Sequence, residues 1–207
     1  MAASEFNACV FKKMQGEEAF DYVMAVDGGY AHLQKIDVQP NIVIGDFDSL
    51  GEEPRGVRTC KFPSDKDDSD LQLAIRRLQI QEAERVFIFG ALGGRLDHLL
   101  ANLRVCARQV KGSQEFVLVG ANETAYILTG GNCWEREVDE IDPGKTISVM
   151  QIDGPVQGLF VRGLKWEGDD LNITENPSLC LSNLTTDEPI LIGLDSGKVA
   201  VIVNDEV

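Results

Sequence analysis

The residues best suited to chemistry are carboxylates placed where short apolar runs stop. Ile42, Val43 and Ile44 lie between Pro40 and Gly45, and the run ends on Asp46-Phe47-Asp48-Ser49. β-Branched residues bounded by a proline and a glycine read as a buried strand. In an open α/β sheet, ligands bind at the carboxyl ends of the strands, which is where Asp46 and Asp48 would stand. Residues i and i+2 share one side of an extended backbone, so the two carboxylates would point together. Like charges brought close repel, and one takes up a proton unless a cation lies between them. A hard divalent ion such as Mg²⁺ accepts oxygen ligands of this kind. The plainer alternative is an Asp-rich turn after a strand.

The pattern recurs along the chain. Asp27 ends the apolar run 22–26 and precedes Gly28 and Gly29, which let a ligand approach the backbone closely. Lys66-Asp67-Asp68-Ser69-Asp70 opens a helical pattern with Leu71, Ala74, Ile75 and Leu78 at i, i+3, i+4 and i+7. Here the alternative is helix capping by Asp68 or Ser69, with the acids complementing the helix dipole. Residues 90–98, Gly-Ala-Leu-Gly-Gly-Arg-Leu-Asp-His, follow the apolar run 86–89. The glycines read GxxGG rather than the dinucleotide fingerprint GxGxxG. With Arg95 beside them and a helix start after them, Gly93 and Gly94 suit a phosphate group. Carboxylates placed repeatedly at strand ends and helix starts are hard to explain as surface decoration.

The elements that must position these groups follow from periodicity. Residues 8–11 read as a first strand, and 12–20 as a marginal helix. Strands are expected at 22–26, 42–44, 57–62, 85–89, 115–119 and 125–128, with helices at 30–36, from Ser69, and over 99–110. After Gly130-Gly131 long helical patterns stop. Short β-rich runs follow at 146–152, 156–161, 189–192 and 198–203, parted by turn chemistry at 153–155, 168–170 and 195–197. The predicted fold is therefore α/β plus all-β: a mostly parallel αβα sheet domain over residues 1–128, then a small antiparallel β-sandwich over 129–207.

Composition sets limits. The 207 residues are 43% hydrophobic and carry a formal net charge of −15. That charge argues against nucleic acid and against anionic membranes as partners. Five dispersed cysteines without a CxxC pair suit reduced thiols. Residues 1–14 hold no apolar core of signal-peptide length. A cytoplasmic location is expected.

Taken in order, the motifs resemble those of the thiamin pyrophosphokinase family. Ala25-Val26-Asp27-Gly28-Gly29 is similar to its first acidic turn, and Gly45-Asp46-Phe47-Asp48-Ser49 matches its most specific signature. Lys66-Asp67-Asp68-Ser69-Asp70 resembles K-D-x-T-D, with Ser69 in place of the usual Thr. Residues 90–98, followed by Asn102, resemble G-x-x-G-G-R-x-D-H-x-x-x-N. Gly163-Leu164-Lys165-Trp166 and Ser182-Asn183 resemble the segments that contact thiamin. The chain departs from the family near Phe11, where Lys12 and Lys13 replace glycines.

The resemblance implies transfer of a diphosphoryl group from ATP to the hydroxyl of thiamin, releasing AMP. It implies Mg²⁺ on Asp46, Asp48 and Asp70, with Asp27 nearby, positive charge from Lys66 and Arg95, and phosphate held around Gly93 and Gly94. Gly28, Gly29, Ser69 and Asn102 would line the nucleotide side. Trp166, Ser182 and Asn183 would contact thiamin, although a core role for Trp166 is the structural alternative. Asp97 is a candidate proton acceptor whose alternative is capping the next helix, and His98 reads as structural. A homodimer with shared active sites is also implied. Two other classes compete: a DxD-type metal-dependent phosphatase, and a non-catalytic nucleotide or thiamin sensor.

Overall fold

The computed structural model describes residues 6–18, 20–80 and 83–204. It divides into two compact units, Met1–Ala83 with Phe89–Asn102, and Glu84–Ile88 with Leu103–Val207.

The first unit is built on a parallel three-stranded sheet in the order β1 (Met24–Val26), β2 (Ile42–Gly45), β3 (Thr59–Lys61). Val26 pairs with Ile44, and Gly45 with Lys61, so the carboxyl ends lie side by side. Ile42, Val43 and Ile44 are wholly buried, as expected of the central strand of a covered parallel sheet. Helix α2 (Gly29–Lys35) connects β1 to β2 and buries Leu33. Helix α3 (Asp70–Ile80) begins where Ser69 Oγ accepts the Gln72 N–H at 3.3 Å, so Ser69 is the cap. It buries Leu71, Ala74 and Ile75.

The stretch expected as a first strand is instead helix α1 (Ala8–Glu18). Two local facts account for this. Asn7 Oδ1 accepts the Val10 N–H at 3.1 Å, which caps a helix at Ala8. Phe11 is buried in a ring cluster, 5.0 Å from Phe89 and 5.6 Å from both Phe6 and Phe20. Aromatic packing of this kind outweighs a weak local propensity.

The second unit is a β structure. Its larger sheet runs β10 (Asn183–Leu184), β8 (Thr146–Gln157), β12 (Ser196–Asn204), β6 (Glu123–Thr129), β5 (Glu115–Val119), β4 (Arg85–Phe89). The smaller runs β7 (Asn132–Arg136), β11 (Ile190–Leu194), β9 (Phe160–Arg162). Side chains of both sheets meet in one core that includes Trp134, Ile147, Leu159, Ile192 and Val201. Helix α4 (Leu96–Gln109) contributes residues to both units. The chain is thus an α/β part followed by a β part, the fold class expected. No helix among the described residues is long and apolar enough to cross a membrane.

The β unit also departs from the sequence reading. Asp153-Gly154-Pro155 is not a turn between strands but lies within β8, where the pairing with β12 shifts register near Ser196 and Lys198. A bulge absorbs residues that would otherwise break the ladder. Gly130 and Gly131 are a packed turn: their N–H groups donate to Gly197 O at 3.0 Å and Leu194 O at 2.8 Å. The sheet of β8 and β12 accordingly continues without a break into β6 and β5.

Candidate active site

At the carboxyl end of the parallel sheet, Asp46 directly follows β2 and α3 begins on Asp70. Between their carboxylates stands the ammonium of Lys66, 3.3 Å from Asp46 Oδ2 and 3.1 Å from Asp70 Oδ1. Lys66 Nζ also donates to Pro63 O at 3.1 Å. The three side chains are 14–17% exposed. Asp70 Oδ1 is buried, and its compensation is the Lys66 ammonium beside it. Burial alone would pull the Lys66 ammonium down. Hydrogen bonding and charge from Asp70 and Asp46 outweigh it and hold the group above its ordinary value. Asp70 also stands in the first turn of α3, where the helix dipole favours an anion.

The two Asp residues of the β2 signature do not lie on extended backbone. Phe47, between them, has φ 67°, in the left-handed region. Its ring is 3% exposed and anchored in the core of the first unit with Phe11, Leu33 and Val43. Burial of that ring offsets a backbone strain of about 1–3 kcal/mol. The kink sends the carboxylates to different partners. Asp46 Oδ1 accepts the Asp48 N–H at 3.1 Å, while Asp48, exposed, accepts from Ser64 Oγ at 3.2 Å.

Asp27 closes β1 with φ 46°, its N–H donating to Ile44 O at 2.7 Å. Its Oδ2 accepts the Ser49 hydroxyl at 2.8 Å. The approach requires a glycine opposite: at Gly45, φ 153°, a Cβ would fall 3.1 Å from Asp27 Cβ. Gly28 and Gly29 form the turn and first residue of α2. Ser49 and Ser64 thus orient acids, a role that no spacing rule assigned. Ser49 at least sits inside the DxD signature, whereas Ser64 carries no local signal.

The glycine turn holds a separate pair. Arg95 reaches Asp97 through both arms of its guanidinium, Nε to Oδ1 at 3.1 Å and an Nη to Oδ2 at 2.5 Å. Both side chains are exposed. The Arg95 hydrogen bond holds the Asp97 carboxyl below the usual carboxylate range, which makes it a weaker proton acceptor. Asp97 also accepts the His98 N–H at 3.0 Å within the first turn of α4, where the helix dipole favours an anion but the bond is not that of a cap. Gly93 and Gly94, with φ 86° and 69°, adopt angles that other residues avoid. Asn102 is buried and donates to Ala91 O at 2.9 Å, so it ties the turn to α4.

In the second unit, Trp166 is 56% exposed, which removes the reading of a core aromatic. Its backbone is held by buried Asn183, whose Nδ2 donates to Trp166 O at 2.6 Å and whose Oδ1 accepts the Trp166 N–H at 3.0 Å. The Lys165 ammonium lies 4.5 Å from the indole centroid. Ser182, φ 54°, donates its N–H to Ser148 Oγ at 3.0 Å.

Among the described residues no three His, Cys, Asp or Glu side chains converge to hold a metal ion. What converges is a pair, Asp46 and Asp70, on one cation position. That donor set suits Mg²⁺, which binds through one or two carboxylates and completes its shell with substrate phosphates and water.

Residues 15–118 match the family model for the thiamin pyrophosphokinase catalytic domain, and residues 135–199 the model for its vitamin B1 binding domain. Thiamine pyrophosphokinase of Bacillus subtilis (strain 168) is 26% identical over 166 residues, which cover 77% of this chain and 76% of that protein. Thiamine pyrophosphokinase 1 of Oryza sativa subsp. japonica is 24% identical over 176 residues, 79% of this chain and 66% of that protein. Among solved structures, a thiamin pyrophosphokinase family protein from Enterococcus faecalis superposes with a TM-score of 0.72 at 27% identity, covering 92% of this chain and 91% of that one. The Bacillus subtilis enzyme superposes at 0.77 with 23% identity, covering 89% and 87%, and speaks to the fold alone. With both family models matched in chain order, and the catalytic one alone covering half of its length, the chain belongs to the thiamin pyrophosphokinase family.

Proposed function

We propose that this enzyme transfers the diphosphoryl group of ATP to the hydroxyl of thiamin, giving thiamin diphosphate and AMP. The observation that carries the reading is the Lys66 ammonium shared by Asp46 and Asp70 at the end of a parallel sheet, in a chain that matches both family models. Phosphoryl transfer of this type asks for positioning and charge neutralisation rather than covalent chemistry. Asp46 and Asp70 would hold Mg²⁺, with Asp48 and Asp27 beside them, each oriented by a serine. When bound, the ion neutralises charge on the phosphate oxygens.

The chain's own groups supply the rest. Lys66 and Arg95 offer positive charge to the migrating group, Arg95 through a fork that suits phosphate. The N–H groups around Gly93 and Gly94 hold phosphate oxygens. The nucleotide side is completed by Gly28, Gly29, Ser69 and Asn102, the last acting by fixing the turn. Trp166 presents an exposed indole with the Lys165 ammonium 4.5 Å from its centroid, and an indole face also attracts a cationic ring such as the thiazolium of thiamin. Asn183 holds the Trp166 backbone in place, and Ser182 precedes Asn183 in the chain. A functional division at residues 1–128 and 129–207 goes with these roles.

We further infer a homodimer in which each active site draws on both chains. Exposed Leu179 and Leu181 flank β8 beside exposed Met150, and apolar surface of this kind is commonly covered by a two-fold partner. A cytoplasmic location fits five free cysteines.

The test is direct. Incubated with ATP, Mg²⁺ and thiamin, the protein should yield AMP and thiamin diphosphate in equal amounts. Free phosphate as the product would indicate a phosphatase, and no product a sensor.

A further inference from the structure

The acidic pair has a cation before any metal arrives, and that cation belongs to the chain. We propose that Lys66 is the resident counter-ion of Asp46 and Asp70, and that its ammonium bars free divalent ions from the pair, so that the metal enters as its nucleotide complex. The inference rests on the function proposed above.

The geometry carries it. Lys66 Nζ lies 3.3 Å from Asp46 Oδ2 and 3.1 Å from Asp70 Oδ1, bridging the two carboxylates. An ammonium has three donor hydrogens. Here it faces two carboxylates and the Pro63 carbonyl. All three side chains are mostly buried, so none of these charges is screened as a surface pair would be. Two cations cannot occupy one gap between the same carboxylates without strong repulsion. A divalent ion arriving alone must therefore displace the ammonium from two carboxylates and brings no anion in exchange. An ion arriving on a polyphosphate brings the replacement with it: Lys66 exchanges carboxylate oxygens for phosphate oxygens as the ion takes its place. The side chain is equipped for that exchange. Its four-carbon stem is flexible and its ammonium is a point charge with rotatable donors, so it can trade one set of oxygens for another.

The test measures Mn²⁺ binding by electron paramagnetic resonance without nucleotide. Lys66→Met should bind Mn²⁺ about tenfold more tightly than the wild type, the scale on which one adjacent charge alters a carboxylate. The gain should vanish in the double variant Asp46→Asn/Lys66→Met, which places it at this pair rather than elsewhere on an acidic surface. Equal or weaker binding by Lys66→Met overturns the proposal, as does a gain that persists in the double variant. Circular dichroism checks the fold. If Lys66→Met is unfolded, the wild type decides by itself: saturating Mn²⁺ with a non-hydrolysable ATP analogue should protect Lys66 from acylation in a mass-spectrometric assay, whereas Mn²⁺ alone should leave its rate unchanged. A changed rate with Mn²⁺ alone overturns the idea. Thiamin diphosphate formation by the wild type is followed in parallel. Product without the affinity change removes only this inference, whereas absence of product removes the proposed function and leaves the binding comparison readable.

Discussion

At the scale of single residues, Asp46 illustrates how a partner changes the sign of an effect. Repulsion between carboxylates alone would make Asp46→Asn more stable. With Lys66 between Asp46 and Asp70, the substitution instead removes half of an ion-pair clasp. Thermal unfolding of Asp46→Asn without metal should show a loss of about 1–3 kcal/mol, and turnover should fall about 100-fold or more. Near-normal turnover at saturating Mg²⁺ would take Asp46 out of the site. Arg95 is a second case. Its fork is engaged by Asp97 and exposed to solvent, so phosphate can compete for it. Arg95→Ala should raise the KM for ATP about tenfold and leave that for thiamin unchanged in steady-state kinetics. A selective rise in the thiamin KM would contradict its role.

At the scale of elements, the site depends on how β1, β2 and α3 end. Gly45 allows Asp27 to pack against the end of β2, with the hypothetical Cβ contact at 3.1 Å. Gly45→Ala should cost about 1–3 kcal/mol by chemical denaturation and lower turnover by moving Asp27. Unchanged stability and activity would show that this approach is dispensable. The start of α3 offers a gentler probe. Ser69 caps it through a hydroxyl that threonine also has, so Ser69→Thr should be neutral, whereas Ser69→Ala should lose about 1 kcal/mol. Equal stability of both variants would mean that Asp68 and Asp70 suffice to start the helix.

At the scale of the whole molecule, the acids stand in one compact unit and Trp166 in the other. The proposed dimer makes a prediction that needs no geometry between them. Asp46→Asn and Trp166→Ala chains, each nearly inactive alone, should regain activity when unfolded together and refolded as mixed dimers. One site then carries both lesions and the other neither. No recovery in any mixture would place each site within a single chain, and a monomer in sedimentation at working concentration would exclude the dimer itself.

Much of this was legible without coordinates because it is local. The β-branched run before Asp46, the 3.6-residue period after Ser69 and the glycines around residue 93 each state a conformation through short-range sterics and burial. The order of motifs was likewise enough to indicate the family. What the sequence could not state depends on contacts between residues far apart in the chain. Residues 8–11 became a helix because Phe11 found Phe89. The 153–155 segment became strand because β12 supplied a ladder that a bulge could join. Phe47 adopted a left-handed backbone because a core was there to hold its ring. Lys66 became the counter-ion of Asp46 because the strand end and the helix start meet in space, 20 residues apart in the chain. Electrostatic and packing energies act through distance in space, so spacing along the chain names the groups and the fold alone assigns their partners.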